Sequence, residues 1–248
     1  MTLQRWKLLI EYDGSAFSGW QRQEPGVMSV QGEIERAIAA FSGQIVTIHV
    51  AGRTDTGVHA WGQVAHVDLD LTDRYTGFHI VKAMNAHLRD LPVVVVEAVP
   101  VASDFHARFS ATNKLYTYRV INRPATLALE RGRVWIVHRP LDIDGMRAGA
   151  PPLLGHHDFT SFRDSECQAK SPVKTLDRLD IETRAYDGAG GVEIFFHAEA
   201  RSFLHHQVRN MVGTLVQVGL GRFTPDDVRD ILAARDRRAA GVTAPPDG

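Results

Sequence analysis

Apolar runs of two kinds, strand-like and helix-like, alternate along this chain in an order that repeats, and that confines it to folds in which helices are layered on sheets. Leu8 to Tyr12 reads as a first strand, and Ser29 as the N-cap of a helix whose Val30, Ile34, Ala37, Ile38 and Phe41 share one face. Ile45, Val46, Ile48 and Val50 give the β-branched run of a buried strand. Val64 to Leu69 is extended, Phe78 to Leu88 is helical, and Val93 to Val99 is a strand again, completing a β-α-β-β-α-β order. A second cycle starts at Lys114 with a strand over Tyr116 to Ile121 and a helix near Ile143 to Leu154. The strands Leu176 to Ala185 and Val192 to Ala200 follow, joined by the hairpin loop Asp187-Gly188-Ala189-Gly190-Gly191. Leu204, Val208, Met211, Val212 and Leu215 mark a long amphipathic helix with Arg209 beside the apolar stripe. Thr224-Pro225-Asp226-Asp227 caps one more helix, through Leu232. The expectation is an α/β (α+β) chain of two related halves, 1–104 and 105–248, whose shared sheet would create a cleft.

Composition narrows the function classes. The chain has 248 residues, 44% of them hydrophobic and 23% charged, which suits a globular protein with a substantial core. One cysteine, Cys167, excludes an intrachain disulfide and a Cys-based zinc site and points to a reducing, cytoplasmic setting. The N-terminus lacks an apolar signal core, and the Val93 to Val96 run is too short to cross a bilayer, so no membrane role is indicated. Net charge is −1, yet two long stretches carry no acid. Phe105 to Leu129 holds Arg108, Lys114, Arg119 and Arg123 with Tyr116 and Tyr118; Ala200 to Pro225 holds Arg201, Arg209 and Arg222 with His205 and His206. Such segments suit phosphate neutralisation and base stacking, and equally suit ordinary solvated faces.

Within Ala51 to Ala60, Asp55 is a single carboxylate in a bend bracketed by Gly52 and Gly57, directly after a strand. Arg53 lies two residues away, where its guanidinium can pair with the carboxylate or reach toward a phosphate. The alternative is an Asx-turn, with Asp55 bonding only to nearby backbone. Tyr116 and Tyr118 share a face of one strand and fit either half-buried core residues or a platform for a base. His156-His157-Asp158 and His205-His206 invite a metal reading. Adjacent histidines diverge on either a strand or a helix, so the expectation is no metal. His59 reads as a hydrogen-bonding support rather than a general base. No phosphate-binding loop, dinucleotide fingerprint or nucleophile elbow is present, leaving chemistry without a cofactor.

Taken in order, these segments resemble the bacterial tRNA pseudouridine synthase A family. Tyr12-Asp13-Gly14, Phe17, Gly19-Trp20-Gln21 and Gln23 match its opening motif, and Ala51 to Ala60 with Gly62-Gln63-Val64 and His66 match its catalytic block. The run from Phe105 through Ala111 into Lys114, Tyr116 and Tyr118 is a second block, Gly155, His157 to Phe159 and Ser161-Phe162 a third, and Phe203, Val208 to Gly213 and Val218-Gly219 a fourth. The resemblance implies a pseudouridine synthase fold with a mostly antiparallel sheet and a central basic cleft, and an isomerase acting without a cofactor on uridines 38, 39 and 40 of the tRNA anticodon arm. It implies Asp55 as the catalytic aspartate, Tyr116 as the aromatic packed on the uracil, Arg209 as the basic partner of the aspartate, and Arg53 as the arginine filling the space left by the flipped base. Arg108 joins these as a substrate-binding residue, and the family's members are homodimers. Family members continue beyond the element matched by Ala244-Pro245-Pro246-Asp247-Gly248 with a strand whose leucine packs on the other uracil face. The expectation is that the sequence is cut short there or that another residue closes the pocket. Two other readings stand beside this one: a non-catalytic tRNA-binding or chaperone-like module, and a metal-dependent hydrolase built on the histidine pairs.

Overall fold

The computed structural model describes residues 2–72 and 74–248. The chain divides into two compact units, Met1–Ala111 and Thr112–Gly248. The division falls later than residue 104 because the intervening segment is fastened to the N-terminal sheet. Arg5 Nη1 donates to the carbonyls of Ser103 and Phe105, the Ala107 amide donates to His66 Nδ1 at 3.1 Å, and Ala107 is buried. Arg108, read from the sequence as part of the C-terminal half, therefore belongs to the first unit.

The first unit runs β1 (Thr2–Tyr12), α1 (Val30–Ser42), β2 (His49–Val50), β3 (Ala60–Leu71), α2 (Gly77–Leu88) and β4 (Val93–Val101), in the element order read from the sequence. Its four-stranded sheet has the order β2-β3-β1-β4 and is antiparallel throughout. Alternate residues Leu8 and Ile10 of β1 meet Ile34 and Ile38 of α1 and Ile80, Met84 and Leu88 of α2 in one core. Ser29 Oγ caps α1 by accepting the Gly32 amide at 3.3 Å. The strand expected from Ile45 is mostly loop: Ile45 is 96% exposed and only His49–Val50 pair with β3. Ile48 is nonetheless buried, and its amide is bonded to Glu35 Oε1 at 3.1 Å, so α1 rather than a strand neighbour satisfies it.

The second unit runs β5 (Lys114–Asn122), β6 (Trp135–Val137), α3 (Ile143–Gly149), β7 (Gly155–Asp158), β8 (Val173–Leu176), β9 (Arg178–Ala185), β10 (Val192–Ala200), α4 (Gln207–Gly219) and α5 (Pro225–Ala234). Its four-stranded sheet has the order β6-β5-β10-β9, with only β5 and β6 parallel, and β7 pairs β8 in a small sheet of their own. Among the described residues each unit thus carries a four-stranded sheet, the first antiparallel throughout and the second mostly so. Pro151-Pro152 ends the expected helix Ile143 to Leu154 early, since proline donates no amide, and a 3₁₀ turn over Pro151–Leu153 replaces its last part. The strand expected over Leu176 to Ala185 breaks at Asp177, whose amide turns to the Glu199 carbonyl at 2.8 Å. The hairpin at Asp187 forms as read, its carboxylate accepting the amides of Ala189 and Gly191, and Thr224 and Asp227 close a capping box on α5. No helix of the described residues is long and apolar enough to cross a membrane.

Candidate active site

Asp55 sits half-buried in the loop between β2 and β3, with Arg53 exposed beside it. The loop owes its shape to the first sequence block. The Trp20 amide donates to the Thr54 carbonyl at 3.0 Å, Gln63 Nε2 donates to the Gly52 carbonyl at 2.8 Å, and the Ala51 amide donates to the Val64 carbonyl at 2.8 Å. Tyr12 Oη lies 2.8 Å from Thr54 Oγ1 and also accepts from Gln63 Nε2. Burial pushes the Tyr12 phenol up, keeping it protonated. Gly14 lies so close to the loop that a Cβ there would collide with the Val58 carbonyl. The Gly14 amide lies 3.0 Å from His59 Nδ1, and Asp13 Oδ1 lies 3.1 Å from the same nitrogen, so His59 is the hydrogen-bonding support the sequence suggested. A turn closes under the carboxylate, where the Val58 amide donates to the Asp55 carbonyl at 3.2 Å. Sequence reasoning did not single out Tyr12 and Gly14 as parts of this loop; their signal was the Tyr-Asp-Gly opening itself.

Arg108 stands apart from the loop in the 105–109 turn, exposed, its Cζ 5.8 Å from the Phe109 ring centroid. His66, which fastens that turn, is 2% exposed, and burial, with Arg5, His106 and His49 nearby, lowers its pKa to about 4. Its ring stacks on His49 at 5.0 Å and meets His106 edge-on at 4.7 Å.

In the second unit Tyr116 and Tyr118 share a face of β5, opposite Ala198 and Phe196 of β10. They divide the two readings between them. Tyr118 is core, 4% exposed, with its hydroxyl donating to the Pro245 carbonyl at 2.7 Å, and burial pushes its phenol well above the ordinary value. Tyr116 is half-buried, edge-to-face with Phe203 at 5.1 Å, a placement suited to a stacking platform. Every residue of α4 is buried except Arg209, so the expected amphipathic stripe is a helix enclosed nearly all round with one cation at its margin.

His205 and His206 do not diverge as adjacent histidines on regular elements would. His206 caps α4 with a left-handed φ of 59°, which swings the two rings to 3.9 Å between centroids and places His206 Nδ1 2.7 Å from Asp164 Oδ2. Burial pushes the Asp164 carboxyl up, but the Glu166 amide and the His206 ring more than offset it, and it lies below the usual carboxylate range. His156 and His157 on β7 do part, toward Thr175 Oγ1 at 3.0 Å and the Leu154 carbonyl at 2.7 Å.

Within each unit the arrangement suits one demand of a reaction on a nucleotide: a loop carboxylate held by a hydrogen-bonded frame, and a half-buried ring and a guanidinium on regular elements. The model of the family described as tRNA pseudouridine synthase matches residues 8–110 and 150–248. A tRNA pseudouridine synthase A of Paramagnetospirillum magneticum is 56% identical over 99% of this chain and 93% of its own length. Namesakes from Cereibacter sphaeroides and Rhodospirillum rubrum are each 54% identical, over 99% and 98% of this chain and 94% and 84% of their own. With matches this extensive in both units, the chain belongs to the tRNA pseudouridine synthase family.

Proposed function

We propose that this protein converts uridine to pseudouridine at positions 38, 39 and 40 of the tRNA anticodon stem-loop, acting in the cytoplasm as a homodimer. The supporting observation is the Asp55 loop: one carboxylate presented by a frame of Tyr12, Gly14, Trp20, His59 and Gln63, in a chain whose relatives are named tRNA pseudouridine synthase A. The isomerisation breaks the bond from ribose C1′ to uracil N1 and joins C1′ to C5; the C5 proton is lost and N1 regains one, so the product keeps the composition of the substrate. No oxidant, nucleotide or metal is needed to balance it. A stacked base cannot turn, so the uridine must first leave its stem. In this reading Asp55 is the catalytic group, Tyr116 stacks on the extracted uracil, Arg53 fills the space it vacates, and Arg209 is the cation of the uridine site. Arg108 neutralises backbone phosphate, with recognition resting on RNA shape more than on sequence.

Mapping pseudouridine on tRNA incubated with the protein tests this directly. The parent is expected to modify the anticodon arm and Asp55→Asn to form none, while tRNA affinity stays within about tenfold because the amide keeps the loop's size and loses only nucleophilicity and basicity. Tight tRNA binding by the parent with no pseudouridine formed would instead establish the tRNA-binding module.

A further inference from the structure

Arg209 is tied to one residue through both its backbone and its side chain. Its carbonyl accepts the Ala244 amide at 3.1 Å, and its Nε donates to the Ala244 carbonyl at 2.8 Å. One anchor of the Arg209 side chain therefore lies in the stretch 241–245, which belongs to neither a helix nor a strand. That stretch is clamped onto α4 by a different arginine. Arg237, in the 3₁₀ turn Arg237–Ala239, donates from Nη1 to the Gly241 carbonyl and from Nη2 to Thr243 Oγ1 and Asn210 Oδ1, each at 2.9 Å. Thr243 Oγ1 closes the ring by donating to the same Asn210 oxygen at 2.7 Å. Asn210 is fully buried and anchored by its Nδ2 on the Phe162 carbonyl at 2.9 Å, while the Gly241 amide donates to Thr214 Oγ1 at 3.0 Å. The approach is closest at Gly213, where a Cβ would overlap the Val242 carbonyl.

Burial lowers the pKa of the Arg237 guanidinium below its ordinary value, so placing a charge here carries a desolvation cost. The planar fork of arginine can bond three neutral oxygens at fixed angles, which lysine's single ammonium cannot reproduce. Asn210 adjoins Arg209 in sequence, and Thr243 adjoins Ala244, so the clamp grips both sides of the Arg209–Ala244 pair. We propose that Arg237 is a positioning residue for Arg209: through Asn210, Thr243 and the main chain to Ala244 it fixes the carbonyl that aims the Arg209 side chain. This rests on the reading of Arg209 as the cation of the uridine site.

The test compares Arg237→Gln, Arg209→Met and the double variant on folded tRNA, alongside the ¹⁵N signal of the Arg209 Nε–H, assigned by its loss in Arg209→Lys. Arg237→Gln is expected to lower kcat about tenfold with KM within about twofold, and to accelerate exchange of the Arg209 Nε–H, because the cation is misaimed rather than removed. In the Arg209→Met background the same change should lower kcat no further. Thr243→Val, which keeps the Arg237 charge and removes one arm of the clamp, should shift both readouts the same way, with kcat down about threefold. An Nε–H signal unchanged in Arg237→Gln and Thr243→Val, or equal kcat losses from Arg237→Gln in both backgrounds, overturns the inference while leaving the role of Arg209 standing. Parental kcat in Arg209→Met overturns that role, and the inference with it.

Discussion

The two units present their candidate groups by different means. In the first, Asp55 rides on a loop whose shape comes from neighbouring backbone and side chains: the Trp20 amide and the Gln63 side chain hold its carbonyls, Tyr12 holds Thr54, and Gly14 gives way to Val58. In the second, Tyr116 stands on a strand paired along its length, and Arg209 on a helix buried everywhere else. A reacting carboxylate must meet one atom of the substrate, and a loop framed from several sides can be adjusted to that geometry without moving a core. Groups that stack on a base or hold a cation in one place need breadth and stiffness, which a strand and an enclosed helix supply. The contrast predicts that the first unit loses activity through small backbone shifts, and the second through loss of whole side chains.

Gly14→Ala is the sharpest break of that contrast. The added methyl must push the Val58 carbonyl and the turn beneath Asp55, while Gly14 itself lies outside the sheet. A displacement near 1 Å at a reacting group costs on the order of a hundredfold in rate. The expected outcome is a kcat loss of about that size with the unfolding midpoint little changed; parental turnover would mean that the loop is not held by this close approach.

Tyr116 tests the other half. Base stacking on an aromatic is worth about 1–3 kcal/mol, so Tyr116→Ala should lower kcat/KM about thirtyfold, and Tyr116→Phe, which keeps the ring, about threefold or less. Both variants retain the strand. If Ala and Phe behave alike, Tyr116 serves only to pack on Phe203.

Much of this was legible in the sequence because it is local. Periodicity placed most of the helices and strands, the caps at Ser29 and Thr224 were visible as residue types, and the loop around Asp55 announced itself by its glycines. What was not legible is non-local. Ile45 has the composition of a strand and lies at the surface because only His49 and Val50 find a neighbour. The histidine pair at 205 and 206 turns together through a left-handed residue, a conformation that histidine tolerates better than most but that its presence does not announce. The acid-free segments misled in the same way. Arg119 looked available for phosphate, yet Glu193 of the paired strand lies 2.7 Å from it and Glu130 lies 3.1 Å away, while Arg123 is paired with Asp187 at 2.8 Å. A segment without acids can still have them across a sheet.

That correction sets a difference between arginines that can be measured by salt titration of tRNA affinity. Removing one cation that neutralises a phosphate makes the slope of log K against log salt shallower by about 0.7–0.9. Arg108→Gln should show that change, since Arg108 is exposed; Arg119→Gln should leave the slope at the parental value, since its charge is already neutralised by two carboxylates. A reversed pattern would return Arg119 to the RNA-binding surface.

The smallest effect concerns how the turn bearing Arg108 is fastened. His66 Nδ1 accepts the Ala107 amide, so the ring must be unprotonated there, and its pKa is lowered to about 4 by burial, with the Arg5, His106 and His49 charges opposing protonation and Asp68 favouring it. An unfolded histidine takes up its proton near pH 6.5. Between that pH and about 4 the unfolded chain binds a proton that the folded chain refuses, so stability falls as the solution is acidified, by at most about 3 kcal/mol across the window. Glutamine at this position can accept the same amide through its side-chain oxygen and does not titrate. His66→Gln is therefore expected to match the parent within about 1 kcal/mol at pH 7.5 and to lose less stability on going to pH 4.5, as read from denaturant midpoints at each pH. Carboxylates titrate in both proteins and cancel in the comparison, so equal losses in the two would show that His66 gains its proton without releasing the 105–109 turn.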